Sequence, residues 1–220
     1  MKLRRVNERT AHCIIEIMIA IIDYGMGNLR SVEKGFLKVG VDARVVTEPR
    51  AIDDAKAVVL PGVGAFRDCM KNLSGMSLTE PIVRSIEKGK PYLGICLGLQ
   101  VLFSESEEFG TYKGLDIIKG KVMKFRTDLK VPHMGWNNVK LLRRPPVFEG
   151  IKDESFFYFV HSFYVDPEDT EAIAATTDYG ITFTSMVWKD NILATQFHPE
   201  KSQETGLMIL KNFGDFVRRA

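Results

Sequence analysis

The first half of the chain alternates short apolar runs with amphipathic stretches. MIAIID (18–23), ARVVT (43–47), AVVLP (57–61) and PYLGIC (91–96) are apolar without alternation and contain many β-branched residues, as strands buried on both faces are. LRSVEKGFLKVG (29–40) keeps a helical period through Leu29, Val32, Phe36, Leu37 and Val39. TEPIVRSIEKG (79–89) predicts a second helix with Thr79 as N-cap and Gly89 at its end, and LGLQVLFSESEE (97–108) a third. Strands alternating with helices predict βαβ units and a parallel sheet covered on both faces.

The pattern then changes. IIKGKVMKF, NNVKLL, SFFYFVHSFYV, EAIAATTDY, ITFTSMVWK and ILATQF are strand-like with short turns between them. They predict an added antiparallel or mixed β section rather than a second domain. An amphipathic helix, QETGLMILKNFGDFVRRA (203–220), closes the chain. The expected fold class is α/β, a doubly wound and mostly parallel sheet, in one domain over 18–220. Residues 1–17 carry basic residues and then a short apolar stretch interrupted by Glu16, with no A-x-A-like site after it. They are a poor signal peptide and are expected to form an N-terminal extension outside the fold.

Composition narrows the functions open to this domain. With 220 residues, 45% hydrophobic and 26% charged, it can bury a substantial core. A formal net charge of +2 without long like-charge blocks gives no support to a nucleic-acid or membrane-surface role. No apolar run reaches the roughly 20 residues needed to span a bilayer. The cysteines, Cys13, Cys69 and Cys96, are odd in number and form no C-x-x-C pair, so neither a disulfide framework nor a zinc site is expected. Reduced thiols fit a cytoplasmic protein, and no cofactor is expected.

In an open α/β sheet the site lies outside the carboxyl ends of the strands. Four segments are expected there: Asp23–Asn28, Pro61–Gly64, Cys96–Gly98 and the loop after ILATQF. G-I-C-L-G (94–98) is a cysteine counterpart of the G-x-S-x-G nucleophile elbow, in which a strained strand-to-helix turn lifts the nucleophile clear of the sheet. The amides opening the next helix would favour its thiolate. This pattern alone leaves a buried structural cysteine equally open. A thiol nucleophile needs a base and the base an orienter. Of His12, His133, His161 and His198, only His198 stands in an H-P-E run, with Glu200 two residues on and facing the same way in extended backbone. Read alone, H-P-E is equally an ordinary surface turn; beside Cys96 the catalytic reading is better. P-G-V-G (61–64) exposes backbone amides through Val63 and Gly64, and the N–H of Leu97 is a second donor for a developing oxyanion. D-Y-G-M-G-N does not complete a dinucleotide fingerprint, because Arg30 stands where G-x-G-x-x-G needs glycine.

G-I-C-L-G-L-Q, the preceding P-G-V-G and the late F-H-P-E together resemble the class I (triad) glutamine amidotransferases over Met18 to Ala220. Within that class, IDYGMGNLRSV, LPGVGAF, PHMGWN (132–137), FVHSFY (159–164) and FHPEKS (197–202) are similar to the glutaminase subunits of imidazole glycerol phosphate synthases. The resemblance implies that Cys96 attacks the side-chain amide of L-glutamine, that His198 moves the protons and that Glu200 orients His198. It implies oxyanion contacts from Val63, Gly64 and Leu97, and substrate contacts from Gln100, Glu108 (chosen over Glu105 and Glu107), His161 and Ser162; for the last two, plain packing in an aromatic strand is an equal reading. It further implies a heterodimer with a (β/α)8-barrel cyclase, which takes the ammonia and makes imidazole glycerol phosphate and an aminoimidazole ribotide in histidine biosynthesis. Asn28, Trp136 and Lys201, expected in loops around the same sheet edge, are the interface candidates.

Overall fold

The computed structural model describes residues 19–220. The expected extension over 1–17, and Met18 at the head of the first strand, lie outside the described residues. Strands β1 (Ile19–Ile22), β2 (Ala43–Val46), β3 (Ala57–Gly62) and β4 (Tyr92–Cys96) pair in parallel in the order β2-β1-β3-β4. Each sends alternate side chains to opposite faces. Ile19 and Ile21 pack with Val32 and Phe36 of helix α1 (Leu29–Lys38), whereas Ala20 and Ile22 pack on the other face. That second face is covered by α2 (Pro49–Asp54), α3 (Phe66–Gly75) and α4 (Thr79–Glu87). Two apolar layers on one sheet are what continuous apolar strands require.

The elbow helix α5 (Leu97–Gln100) is a single turn, and the chain returns at once to strand β5 (Phe103–Ser106). This corrects the expected helix over 97–108. Leu99, Val101, Leu102 and Phe103 are all buried, so the segment is apolar all round and is set by packing rather than by one helical face. The short β6 (Tyr112–Lys113), β7 (Ile118–Lys124), β8 (His133–Leu141), β9 (Ser155–His161), β10 (Phe163–Pro167), β11 (Ile173–Asp178), β12 (Thr182–Lys189) and β13 (Ile192–Thr195) complete the sheet, followed by helix α6 (Gln203–Arg219). β13 lies parallel to β4, and beyond it the order β13-β12-β10-β7-β5-β6 is mixed, with β8, β9 and β11 branching from β12.

Three further expectations are corrected. SFFYFVHSFYV is two strands broken at Ser162, because β9 pairs only with β8 while β10 turns away to β7 and β12. Trp136 lies within β8 and not in a loop. Thr79 is the first helical residue of α4 behind Leu78, and its hydroxyl is buried without a partner, so it does not cap. Helices α2 and α3, too short or too polar to show a clear period, went unpredicted.

The tightest contact in the fold lies under the elbow. Gly98 rests against the main chain of β3, where a Cβ would run into the carbonyl oxygen of Leu60; a Cβ on Gly94 would lie 2.5 Å from the carbonyl oxygen of Gly98. Tyr92 Oη donates to that same Gly98 carbonyl at 2.8 Å. Gly98→Ala is expected to cost about 3 kcal/mol, the upper range for overpacking. Gly75→Ala, where an added Cβ meets nothing, is the control and changes stability little. Denaturant midpoints of the two variants check this.

Candidate active site

Cys96 ends β4 with φ 55° and ψ −102°, a left-handed conformation that a non-glycine residue adopts only when its surroundings impose it. The glycines on either side are there for close packing, Gly98 on β3 and Gly94 on Gly98. The strained residue is the cysteine itself, and the strain turns its side chain out of the sheet into a cavity of about 340 Å³. Val63, Gly64, Leu97, Gln100, Glu108, Val160, His161, Ser162 and Lys201 line that cavity with it. Gly64 holds φ 109°, which only glycine adopts without strain, so the loop after β3 can lie along the wall. Leu97, first residue of α5, has no intrahelical partner for its N–H. Asp23–Asn28 does not line the cavity; Gly27 packs behind the loop, on Pro61 and Gly62.

His198 follows β13, neighbour of β4, and so arrives beside the elbow. Its Nδ1 donates to Glu200 Oε1 at 2.7 Å, with both side chains buried. The backbone between them is a one-turn 3₁₀ segment, Pro199–Lys201, and not the extended strand expected. Ser202 ties this turn to β9: its hydroxyl donates to the His198 carbonyl at 2.6 Å and accepts the N–H of Tyr158 at 2.9 Å. With Nδ1 spent on Glu200, Nε2 is the nitrogen left for Cys96, and it is buried with no other partner among the described residues. Burial pushes the imidazolium pKa down, but the negative charge of Cys96 and the hydrogen-bonded Glu200 outweigh it and raise the value to about 10.

Cys69 shows what the structural reading of a cysteine looks like. It is buried in α3, and burial pushes its thiol up to about 12. Cys96, in contrast, opens onto a cavity beside an imidazole.

The remaining candidates separate in space. Glu108 lines the cavity, accepts the N–H of Phe66 at 2.6 Å and has its pKa raised by burial. Glu105 is paired with Lys121 at 2.9 Å, and Glu107 accepts the N–H of Lys124 at 2.6 Å. His161 borders the cavity, but both ring nitrogens are engaged within the fold: Nδ1 with the Phe163 carbonyl at 2.8 Å and Nε2 with His133 Nδ1 at 2.9 Å. Burial lowers both pKa values, to about 3 for His161 and about 4 for His133, so the pair is neutral at pH 7. Ser162 meets the cavity at the break between β9 and β10. Gln100 lies inside, its Nε2 donating to the Phe163 carbonyl at 3.1 Å and to Gln196 Oε1 at 3.2 Å. Gln196 was not anticipated; the available signal was one polar residue inside the apolar run ILATQF. Lys201 stands at the mouth, its Nζ 5.8 Å from the Tyr158 ring, whose edge also meets Trp136 at 6.1 Å. Asn28 is exposed at the start of α1.

Comparison with known proteins decides the family. The sequence model of class-I glutamine amidotransferases matches residues 20–215. The chain belongs to that family. Among curated amidotransferases, the imidazole glycerol phosphate synthase subunit HisH of Syntrophotalea carbinolica is 60% identical over 205 residues, covering 90% of this chain and all of the relative. The HisH subunit of Geobacter sulfurreducens is 57% identical over 204 residues, covering 90% and 98%. Solved structures of the same fold include a glutamine amidotransferase (TM-score 0.71, 18% identity, 90% and 99% covered) and PurLQS from Thermotoga maritima (TM-score 0.69, 14% identity, 91% and 99% covered). The fold of this amidotransferase is thus shared far more widely than its sequence.

The raised pKa of His198 sets a pH dependence. A folded-state value of about 10 lies above the ordinary 6.5, so the stabilisation is complete below pH 6.5 and is lost as pH rises through about 10. The stability gap between wild type and His198→Gln is expected to be widest at the acid end of that window and to narrow toward its alkaline end. Denaturant titrations at several pH values measure it, and a gap that widens with pH contradicts the charge assignment.

Proposed function

We propose that this amidotransferase hydrolyses L-glutamine through Cys96 and passes the ammonia to a cyclase subunit, as the glutaminase half of an imidazole glycerol phosphate synthase in the cytoplasm. The observation that carries the chemistry is the buried His198–Glu200 pair beside Cys96, which itself opens onto the cavity. The HisH relatives, matched over nearly their whole length at about 60% identity, support the biosynthetic assignment.

His198 takes the proton of the Cys96 thiol, and the sulfur attacks the side-chain amide carbon of glutamine. Negative charge moves to the carbonyl oxygen, where the Leu97 N–H and the Val63–Gly64 segment are the donors at hand. The amide nitrogen takes a proton from His198 and leaves as ammonia. Water, deprotonated by His198, then attacks the glutamyl thioester, releasing glutamate and regenerating the thiol. Glu200 fixes the ring tautomer throughout by holding Nδ1–H. Both N–H groups of Gln100 are already engaged, so its oxygen is the atom free for substrate. Glu108, the one carboxylate of its segment on the cavity, suits the α-ammonium group. Ser162 offers a hydroxyl and backbone on the same wall, and His161 holds that wall in place.

Ammonia at neutral pH is mostly protonated and would disperse, so the pathway needs the acceptor docked near the cavity. A continuous apolar face beside Lys201 suits a (β/α)8-barrel cyclase. Met134, Trp136 and Phe156 project from one side of the β8–β9 pair, 61%, 46% and 59% exposed. Large side chains left in water on adjacent strands mark an interface, and tryptophan is the strongest anchor among them. Asn28, exposed at the start of α1, is a further candidate contact.

Glutamate release is the direct assay, run with and without the cyclase and its phosphoribulosyl-formimino aminoimidazole carboxamide ribotide. Strong stimulation by the loaded cyclase is expected; partner-independent cleavage of other γ-glutamyl compounds would point instead to a separate hydrolase. Cys96→Ala abolishes turnover and leaves the complex intact. Glu108→Gln, which can still accept from Phe66, raises KM for glutamine about tenfold or more, the range for a lost charged hydrogen bond. Trp136→Ala weakens cyclase affinity about tenfold, as truncation of a hot spot does; unchanged affinity in a titration would remove Trp136 from the interface.

A further inference from the structure

The buried polar groups behind the nucleophile form a directed chain. It begins at the carbonyl oxygen of Phe163, which can only accept. Gln100 therefore faces it with its amide nitrogen, at 3.1 Å. The same nitrogen lies 3.2 Å from the side chain of Gln196, so Gln196 must present its oxygen there. Its own nitrogen is then turned the other way, 3.6 Å from Cys96 Sγ, an ordinary N–H to sulfur distance. Side-chain amides can be built either way round, but here one backbone carbonyl dictates both. Reversing Gln100 would set its oxygen against the Phe163 carbonyl, and reversing Gln196 would set two N–H donors against each other, both in a buried site.

We propose that Gln196 is a further catalytic residue, whose N–H holds the Cys96 sulfur as thiolate and returns to it when the thioester is cleaved. The proposal rests on the reading of Cys96 as nucleophile and adds what that reading lacks. A family elbow is expected to draw its stabilisation from the helix that follows, yet α5 has one turn and so only a small dipole. Gln196 supplies a fixed donor in its place. It is fully buried, and its backbone N–H is bound to the Ser185 carbonyl at 2.9 Å, so the side chain has little freedom to leave. The contact of the Cys96 sulfur with the Val160 carbonyl, at 4.0 Å, is weaker than the one with the Gln196 N–H. The ionisable groups around the sulfur are His198 and Glu200 after β13, His161 on β9, Tyr24 after β1, and Glu108 and Lys201 at the cavity. Among them His161 is neutral at pH 7 and Tyr24 stays protonated because burial drives its pKa far up, and among the described residues Gln196 is the side-chain amide that donates to the sulfur.

Alkylation by iodoacetamide, followed on the Cys96 peptide by mass spectrometry across the neutral pH range, tests this in the full chain. Gln196→Glu keeps the shape and the contact with Gln100 but replaces the N–H by an acceptor; Gln196→Met removes the amide. Alkylation of Cys96 near pH 7 is expected to slow about tenfold in Gln196→Glu, its pH midpoint moving up by about one unit, and to shift less far in the same direction in Gln196→Met. In the complex with cyclase, kcat for glutamate release falls with KM for glutamine nearly unchanged. A midpoint equal to wild type in the folded Gln196→Glu protein overturns the proposal, and so does a rise in KM alone, which would place Gln196 behind Gln100 in substrate binding. If instead wild-type Cys96 reacts no faster than Cys69, it is the nucleophile reading that fails. Thermal unfolding of each variant establishes that the folded protein is being compared.

Discussion

Everything at the site depends on the backbone of Cys96 being held at positive φ. That conformation costs of order 1–3 kcal/mol for a non-glycine residue, and the surrounding packing sustains it. Gly98 presses on the Leu60 carbonyl, Gly94 on Gly98, and the hydroxyl of Tyr92 binds the Gly98 carbonyl from below. No larger residue fits without moving main chain, that of β3 at Gly98 and that of Gly98 itself at Gly94. The turn is thus clamped between two central strands of a sheet covered on both faces. Because β3, β4 and β13 are adjacent and parallel, their ends deliver the P-G-V-G loop, the nucleophile and His198 to one place.

Around that fixed point the polar groups satisfy one another in two branches. One branch runs from Glu200 to the imidazole of His198, with the whole turn anchored to β9 through Ser202. The other runs from the Phe163 carbonyl through Gln100 and Gln196 to the sulfur. Two buried atoms without a partner among the described residues, His198 Nε2 and Glu200 Oε2, belong to the first branch. An imidazole nitrogen kept free of other partners is suited to exchange protons with the sulfur and with substrate. The sulfur thus sits between a titrating partner and a fixed one.

Cys96, His198 and Glu200, the proposed nucleophile, base and orienter, stood out in the sequence because each sits in a short motif whose residue types have a chemical reason to be together. The order of the first strands was equally plain, since continuous apolar runs with β-branched residues have few other uses. Three things were not legible. The helix after Cys96 ends after a single turn because Leu99 to Phe103 are buried on every side, and uniform burial erases the period that separates helix from strand. Trp136 looked like a loop residue because PHMGWN carries a proline and a glycine, whereas pairing with β9 makes it a strand residue. Gln196 was hidden because its meaning depends on a carbonyl in a strand more than thirty residues earlier. What separates Glu108 from Glu105 and Glu107 is likewise visible only in space, since of the three it alone lines the cavity.

The central claim is that glutamine is cleaved through a covalent bond to Cys96. Acid quenching during turnover, followed by mass analysis of the peptides, tests it most directly. The account predicts one added γ-glutamyl group on the peptide carrying Cys96, formed only with glutamine present and lost on further incubation. Glutamate formed without any such adduct under single-turnover conditions, or an adduct on another residue, would contradict it.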